Sequence, residues 1–197
     1  RSPENIIVTT GGSEALQLAF PSCINPGDEI IMPEPTYANY ISFAMQAGVK
    51  VRPIKTDIRN GYALPSVEDF EALIDERTKA ILICNPNNPT GYVYTKEEMM
   101  RIRDIVKKYD LFLFSDEVYR EFHYTDEPYV SALHLEGIEE NVVLIDSVSK
   151  RYSECGIRIG AVITRNMQLR NAMMKFAQAR LSPPLLGQIV AEASLDA

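Results

Sequence analysis

The sequence predicts a three-layer α/β/α domain built on a mostly parallel seven-stranded sheet whose last strand runs antiparallel. Three observations lead there. Apolar, β-branched runs alternate with amphipathic stretches along the 197 residues, the pattern of successive β-α units. Several runs are apolar throughout rather than alternating, as strands covered on both faces are. The last two runs are joined by only about a dozen residues, which is tight for a crossover helix and reverses the final strand.

The strand-like runs are Ile6–Thr10, Glu29–Met32, Lys50–Ile54, Ala80–Cys84, Leu111–Phe114, Val142–Asp146 and Ile159–Thr164. Helical patterns lie between them. One opens at Ser13 and runs to Leu18. A second covers Tyr37–Gln46 and is closed by Gly48. A third covers Ser66–Ile74, with Ser66 as N-cap. Thr95 and Glu98 form a capping box that opens a helix to about Tyr109. A last long pattern, Asn166–Leu181, is ended by Pro183-Pro184. The chain starts at Arg1, just ahead of a strand, and ends at Ser194–Ala197 within a helical pattern that has no glycine or proline stop. Both ends read as cut, so residues 1–197 are expected to be one domain of a longer protein.

Composition narrows the function. Hydrophobic residues make up 46% and charged residues 24%, a soluble globular profile. A net charge of −7 argues against a nucleic-acid surface, which needs a basic footprint. No apolar run reaches membrane-spanning length. Cys23, Cys84 and Cys155 are too scattered for a disulfide framework or a zinc site and read as reduced thiols, which points to the cytoplasm. Only two histidines are present, and no carboxylate cluster accompanies them, so no metal site is expected.

In a sheet of this kind ligands bind beyond the carboxyl ends of the strands, and five strand ends carry suggestive groups. After the first comes Thr10-Gly-Gly12-Ser13-Glu14. Glycines at a helix start let backbone N–H groups approach an anion such as phosphate; the string equally suits an ordinary glycine turn capped by Ser13. There is no P-loop and no Gly-x-Gly-x-x-Gly. After the second comes Pro33-Glu-Pro-Thr-Tyr37-Ala-Asn-Tyr40, where Tyr37 can stack on a flat group or simply pack at a helix start. Asn85-Pro-Asn-Asn88-Pro-Thr-Gly91 follows the fourth, a rigid turn presenting the Asn88 amide. After the fifth comes Ser115-Asp116-Glu-Val-Tyr119. An aspartate ending an apolar strand needs a cation partner, and a protonated pyridine nitrogen is one. Ser147-Val-Ser-Lys150, with Arg158 eight residues on, follows the sixth. Lysine forms Schiff bases with aldehydes once its amine sheds a proton, and serines with an arginine hold phosphate. The alternative is a surface lysine in a polar loop.

Taken together, in this order, these strings resemble the class I and II aminotransferases, the aspartate-aminotransferase-like enzymes of fold type I that use pyridoxal 5′-phosphate. The resemblance spans essentially the whole chain but only the family's large, cofactor-binding domain. It implies that Lys150 forms the Schiff base with pyridoxal phosphate and that Asp116 pairs with its ring nitrogen. It implies further that Asn88 and Tyr119 bond the phenolic oxygen, and that Tyr37 stacks on the ring. Gly12, Ser13, Glu14, Ser147 and Arg158 then form the phosphate cradle. Lys150, Asp116 and Tyr119 are the implied catalytic residues. An amine charged and buried could not do this work, so the surroundings of Lys150 must favour its neutral form.

Amino acids and 2-oxo acids are the implied substrates and a homodimer the implied assembly. One departure stands out: Ile157 occupies the position before Arg158 where the family often has a bulky aromatic. The same cradle would also serve a β-lyase, a synthase, or the effector-sensing domain of a transcription regulator.

Overall fold

The computed structural model describes residues 2–124 and 128–196; Arg1 and Ala197, named above as the chain's ends, lie outside them. Seven strands form one sheet: β1 (Ile6–Thr9), β2 (Glu29–Glu34), β3 (Lys50–Lys55), β4 (Thr78–Cys84), β5 (Phe112–Asp116), β6 (Val142–Ser147) and β7 (Gly160–Ile163). Their spatial order is β1-β7-β6-β5-β4-β2-β3. Neighbours from β3 through to β6 pair parallel. β7 pairs antiparallel with both β6 and β1, so β1 points the same way as β6. The reversal expected for the last strand is present. The carboxyl ends of β1, β2, β4, β5 and β6 therefore share one edge.

The uninterrupted apolar runs have a direct explanation. Along β4, Ala80, Leu82 and Cys84 pack into one core while Ile81 and Ile83 pack into another. Helices α1 (Gly11–Cys23), α2 (Asn39–Gln46) and α6 (Met167–Ala179) cover the first face, and α3 (Val67–Glu71) and α4 (Lys96–Tyr109) the second. Period-2 side-chain alternation sends successive strand residues to opposite layers, so both must be apolar.

Helix boundaries follow local chemistry. Thr95 and Glu98 close the expected capping box of α4, and Ser66 with Asp69 makes another at α3. α3 is shorter than its pattern because the chain tightens after it, with Leu73 and Ile74 bonding three residues back to Phe70 and Glu71. α6 ends two residues early, and Leu181 then takes a positive φ of 72°. Two further helices complete the fold: α5 (Val148–Arg151) directly after β6, and α7 (Leu185–Ala193) after the paired prolines. No described helix is long and apolar enough to cross a membrane.

Candidate active site

The shared strand edge opens into a cavity of about 220 Å³. Gly12, Ser13, Tyr37, Asn88, Asp116, Tyr119, Ser147, Lys150 and Arg158 all line it, although they span most of the chain. Glu14 does not. Its carboxylate accepts the Thr10 N–H at 2.7 Å and pairs with Arg180 Nε at 2.7 Å, which corrects the expectation that it belongs to an anion cradle. The physical reason is charge: a carboxylate stabilises a helix start but repels a second anion placed there.

One end of the cavity is built for an anion. The first backbone N–H groups of α1 have no intrahelical acceptor, and Gly12 and Ser13 sit among them. Arg158 takes a left-handed φ of 59° and its Nη1 donates to the Cys155 carbonyl at 2.7 Å. This lays the guanidinium on Gly11: a Cβ there would fall 2.2 Å from Arg158 Nη2. Gly160 is equally constrained, since its Cβ would meet the backbone of Gly11 and Gly12. A helix N-terminus, an arginine and nearby hydroxyls are thus pressed together, as a phosphate requires. Ser147 Oγ donates to the Ile159 carbonyl at 3.0 Å and meets Ser149 Oγ at 2.7 Å.

The floor of the cavity carries Asp116. Burial pushes its carboxyl up to about 6. The Tyr40 hydroxyl and the Val118 N–H draw it back down, the carboxylates of Asp146 and Glu117 push it further up, and among the described residues no ion pair reaches it. Tyr40 donates to Oδ2 at 2.6 Å and Val118 N to Oδ1 at 3.2 Å. A buried carboxyl with spare acceptor capacity facing a cavity suits a cationic ring nitrogen.

The mouth holds the remaining groups. Asn88 Nδ2 donates to the Tyr119 hydroxyl at 3.4 Å. Lys150 Nζ lies 5.7 Å from the centroid of the Tyr119 ring. Tyr37 packs edge-on against Tyr40, with ring centroids 5.3 Å apart. Lys150 is exposed, unlike the enclosed amine that the chemistry leads one to expect.

The family model described as aminotransferase class I and II matches residues 1–197. The chain belongs to this family. It is 41% identical over 192 residues to YugH of Bacillus subtilis, a protein provisionally named an aminotransferase, covering 96% of this chain and 49% of that protein. The crystal structure of an aspartate aminotransferase from Thermotoga maritima superposes with a TM-score of 0.93 at 34% identity, over 100% of this chain and 52% of that one. An alanine aminotransferase from Pyrococcus furiosus gives 0.91 at 33%, over 99% and 50%. The chain thus spans about half the length of the relatives it matches.

Within this aminotransferase fold Ser149, the second serine ahead of Lys150, lines the cavity too, as do Tyr40 and Cys155, which sequence reasoning did not single out as site residues. Tyr40 is the notable omission. It is buried on the core face of α2 and reads there as packing, one helical turn after Tyr37. Its hydroxyl nevertheless needs a buried partner, and that demand was the available signal.

Proposed function

We propose that residues 1–197 are the cofactor-binding large domain of a longer, pyridoxal 5′-phosphate-dependent aminotransferase that moves an amino group between an amino acid and a 2-oxo acid. The leading form is an aspartate-aminotransferase-like enzyme. The observation that carries this reading is convergence. A lysine amine, a buried carboxyl with no ion pair among the described residues, an amide–phenol pair and a helix N-terminus backed by arginine all line one cavity.

When bound, pyridoxal phosphate supplies a reactive carbonyl and a ring that draws electrons from the substrate's α-carbon. The chain's own groups do the rest. The N–H groups at the start of α1, the hydroxyls of Ser13 and Ser147 and the Arg158 guanidinium bind the phosphate. Asp116 holds the ring nitrogen as a cation. Asn88 and Tyr119 donate to an anionic ring oxygen, and Tyr37 covers one face of the ring. Lys150 Nζ would hold the carbonyl carbon until the substrate's amine displaces it, and the freed amine would then carry the proton between the substrate α-carbon and the cofactor.

Solved relatives named for aspartate and for alanine match this region almost equally well, at 34% and 33% identity. We therefore assign the choice of amino acid to segments other than residues 1–197. The reading includes a cytoplasmic homodimer, and its compartment is supported by three free cysteines. The test is to assay the full-length protein with 2-oxoglutarate and a panel of amino acids. Lys150→Ala should reduce transamination to background while melting behaviour is retained; turnover that survives the substitution would sink the assignment.

A further inference from the structure

Beside the cavity, four charged side chains, two from the loop after β5, one from strand β6 and one from helix α5, close into a ring. The loop after β5 supplies Arg120 and Glu121, and the β6–α5 segment supplies Asp146 and Arg151. Arg120 Nη2 donates to Asp146 Oδ2 at 2.7 Å. Arg151 Nη2 lies 3.5 Å from that same oxygen, and its Nε lies 3.5 Å from Glu121 Oε1. Glu121 Oε1 is in turn 3.6 Å from Arg120 Nε. Charge alternates around the circuit, so every corner has an attractive neighbour on each side. Two of the four contacts cross between these segments: Arg120–Asp146 ties the β5 loop to strand β6, and Arg151–Glu121 ties it to α5.

An isolated surface ion pair contributes little. This ring differs in shielding: the Arg120, Asp146 and Arg151 side chains are 22%, 19% and 23% exposed, and only Glu121, at 57%, is open. It also differs in address. Arg120 follows Tyr119 and Arg151 follows Lys150. Asp146 precedes Ser147 and accepts its N–H at 2.8 Å. The segments it joins, the β5 loop and β6–α5, are the two that bring Lys150 Nζ within 5.7 Å of the Tyr119 ring centroid. α5, which carries Lys150, has only four residues and is too short to hold itself in place.

We propose that Arg120, Glu121, Asp146 and Arg151 are positioning residues whose ring clamps α5 to the β5 loop and so sets Lys150 against Tyr119. The proposal rests on the function given above. Its value is geometric: Arg151 ties α5 to the β5 loop through Glu121 and to strand β6 through Asp146, and Arg120 ties that loop to the same aspartate, a spacing that no one segment determines alone.

The test uses the full-length protein as wild type, Arg151→Gln, Glu121→Gln and the double variant, which leaves net charge unchanged. Hydrogen exchange in the cofactor-free protein should speed up about fivefold over residues 148–153 in each single variant, the scale of one ion-pair corner. The double should exceed neither single by much, because one missing corner already opens that tie. Exchange in β4 and β5 should stay as it was. With pyridoxal phosphate bound, the pH midpoint of the visible absorbance should move by about half a unit in the charge-neutral double, a shift of position rather than of net charge. Unchanged exchange overturns the clamp. Faster exchange with an unmoved midpoint makes the ring a tie without bearing on Lys150, and overturns the proposal as well. Should Arg151→Gln fail to fold, the exposed Glu121→Gln carries the same comparison. Absorbance that Lys150→Ala does not alter would instead defeat the functional reading, while exchange still decides the clamp.

Discussion

Glu98 and Asp116 are both buried carboxyls, 3% and 7% exposed, yet they serve different ends of the molecule. Glu98 sits in α4 on the far layer. Its Oε1 accepts from the Leu64 N–H and the Tyr92 hydroxyl, and its Oε2 from Tyr92 again and the Thr95 N–H. Each oxygen is used twice, close to the capacity of a carboxylate. Asp116, at the strand edge, has one donor on each oxygen and faces a cavity. A carboxyl buried for architecture is saturated by its own chain. One buried for binding keeps acceptor capacity for a guest.

Glu98→Ala should give the largest effect on stability. It frees the Leu64 and Thr95 N–H groups and the Tyr92 hydroxyl and removes half of a capping box, a loss of roughly 3 kcal/mol by urea denaturation. Affinity for pyridoxal phosphate should not change, and a drop in affinity matching the drop in stability would erase the distinction between the two carboxyls.

Asp116→Asn should move stability the other way. The folded pKa of about 6 lies above the ordinary carboxyl value near 4, so the native state holds the proton more tightly than the unfolded chain. Stability from that proton is fully present below about pH 4 and is lost as pH rises through about 6. The asparagine variant has no such loss. It should be more stable at pH 7 without cofactor by roughly 2 kcal/mol and should bind pyridoxal phosphate more weakly. A variant less stable at every pH would contradict this.

Tyr40→Phe sharpens the same comparison at smaller scale. It removes the 2.6 Å donor to Asp116, a hydrogen bond that lowers the carboxyl's pKa. The pH at which stability falls should rise above 6, with a loss of about 1 kcal/mol. An unmoved midpoint would mean that the hydroxyl does not tune the carboxyl.

The strand-edge groups were legible because each sits where a long apolar run stops. Asp116 ends β5, Ser147 ends β6, and Asn85 follows β4. What depended on distant pairing was not legible. Glu14 reads as part of a glycine turn until Arg180 is seen beside it. Tyr40 has no local sign of its partner, since its hydroxyl meets Asp116, 76 residues away. The sequence carries no local sign of the contacts that Arg120 and Arg151 make with Asp146, which the sheet brings between them. Local pattern determines where a chain bends and what it buries; which polar groups meet is set by topology. The ends of α3 and α6 depart from their sequence patterns for the opposite reason, since tight turns and a left-handed Leu181 decide them.

The central claim is that Lys150 is the amine presented to the cofactor. Borohydride reduction of the full-length protein in the presence of pyridoxal phosphate, followed by peptide mass mapping, tests it most directly. The account predicts one reduced pyridoxyl adduct, on Lys150, absent from Lys150→Ala. An adduct on another lysine, or none, would contradict it.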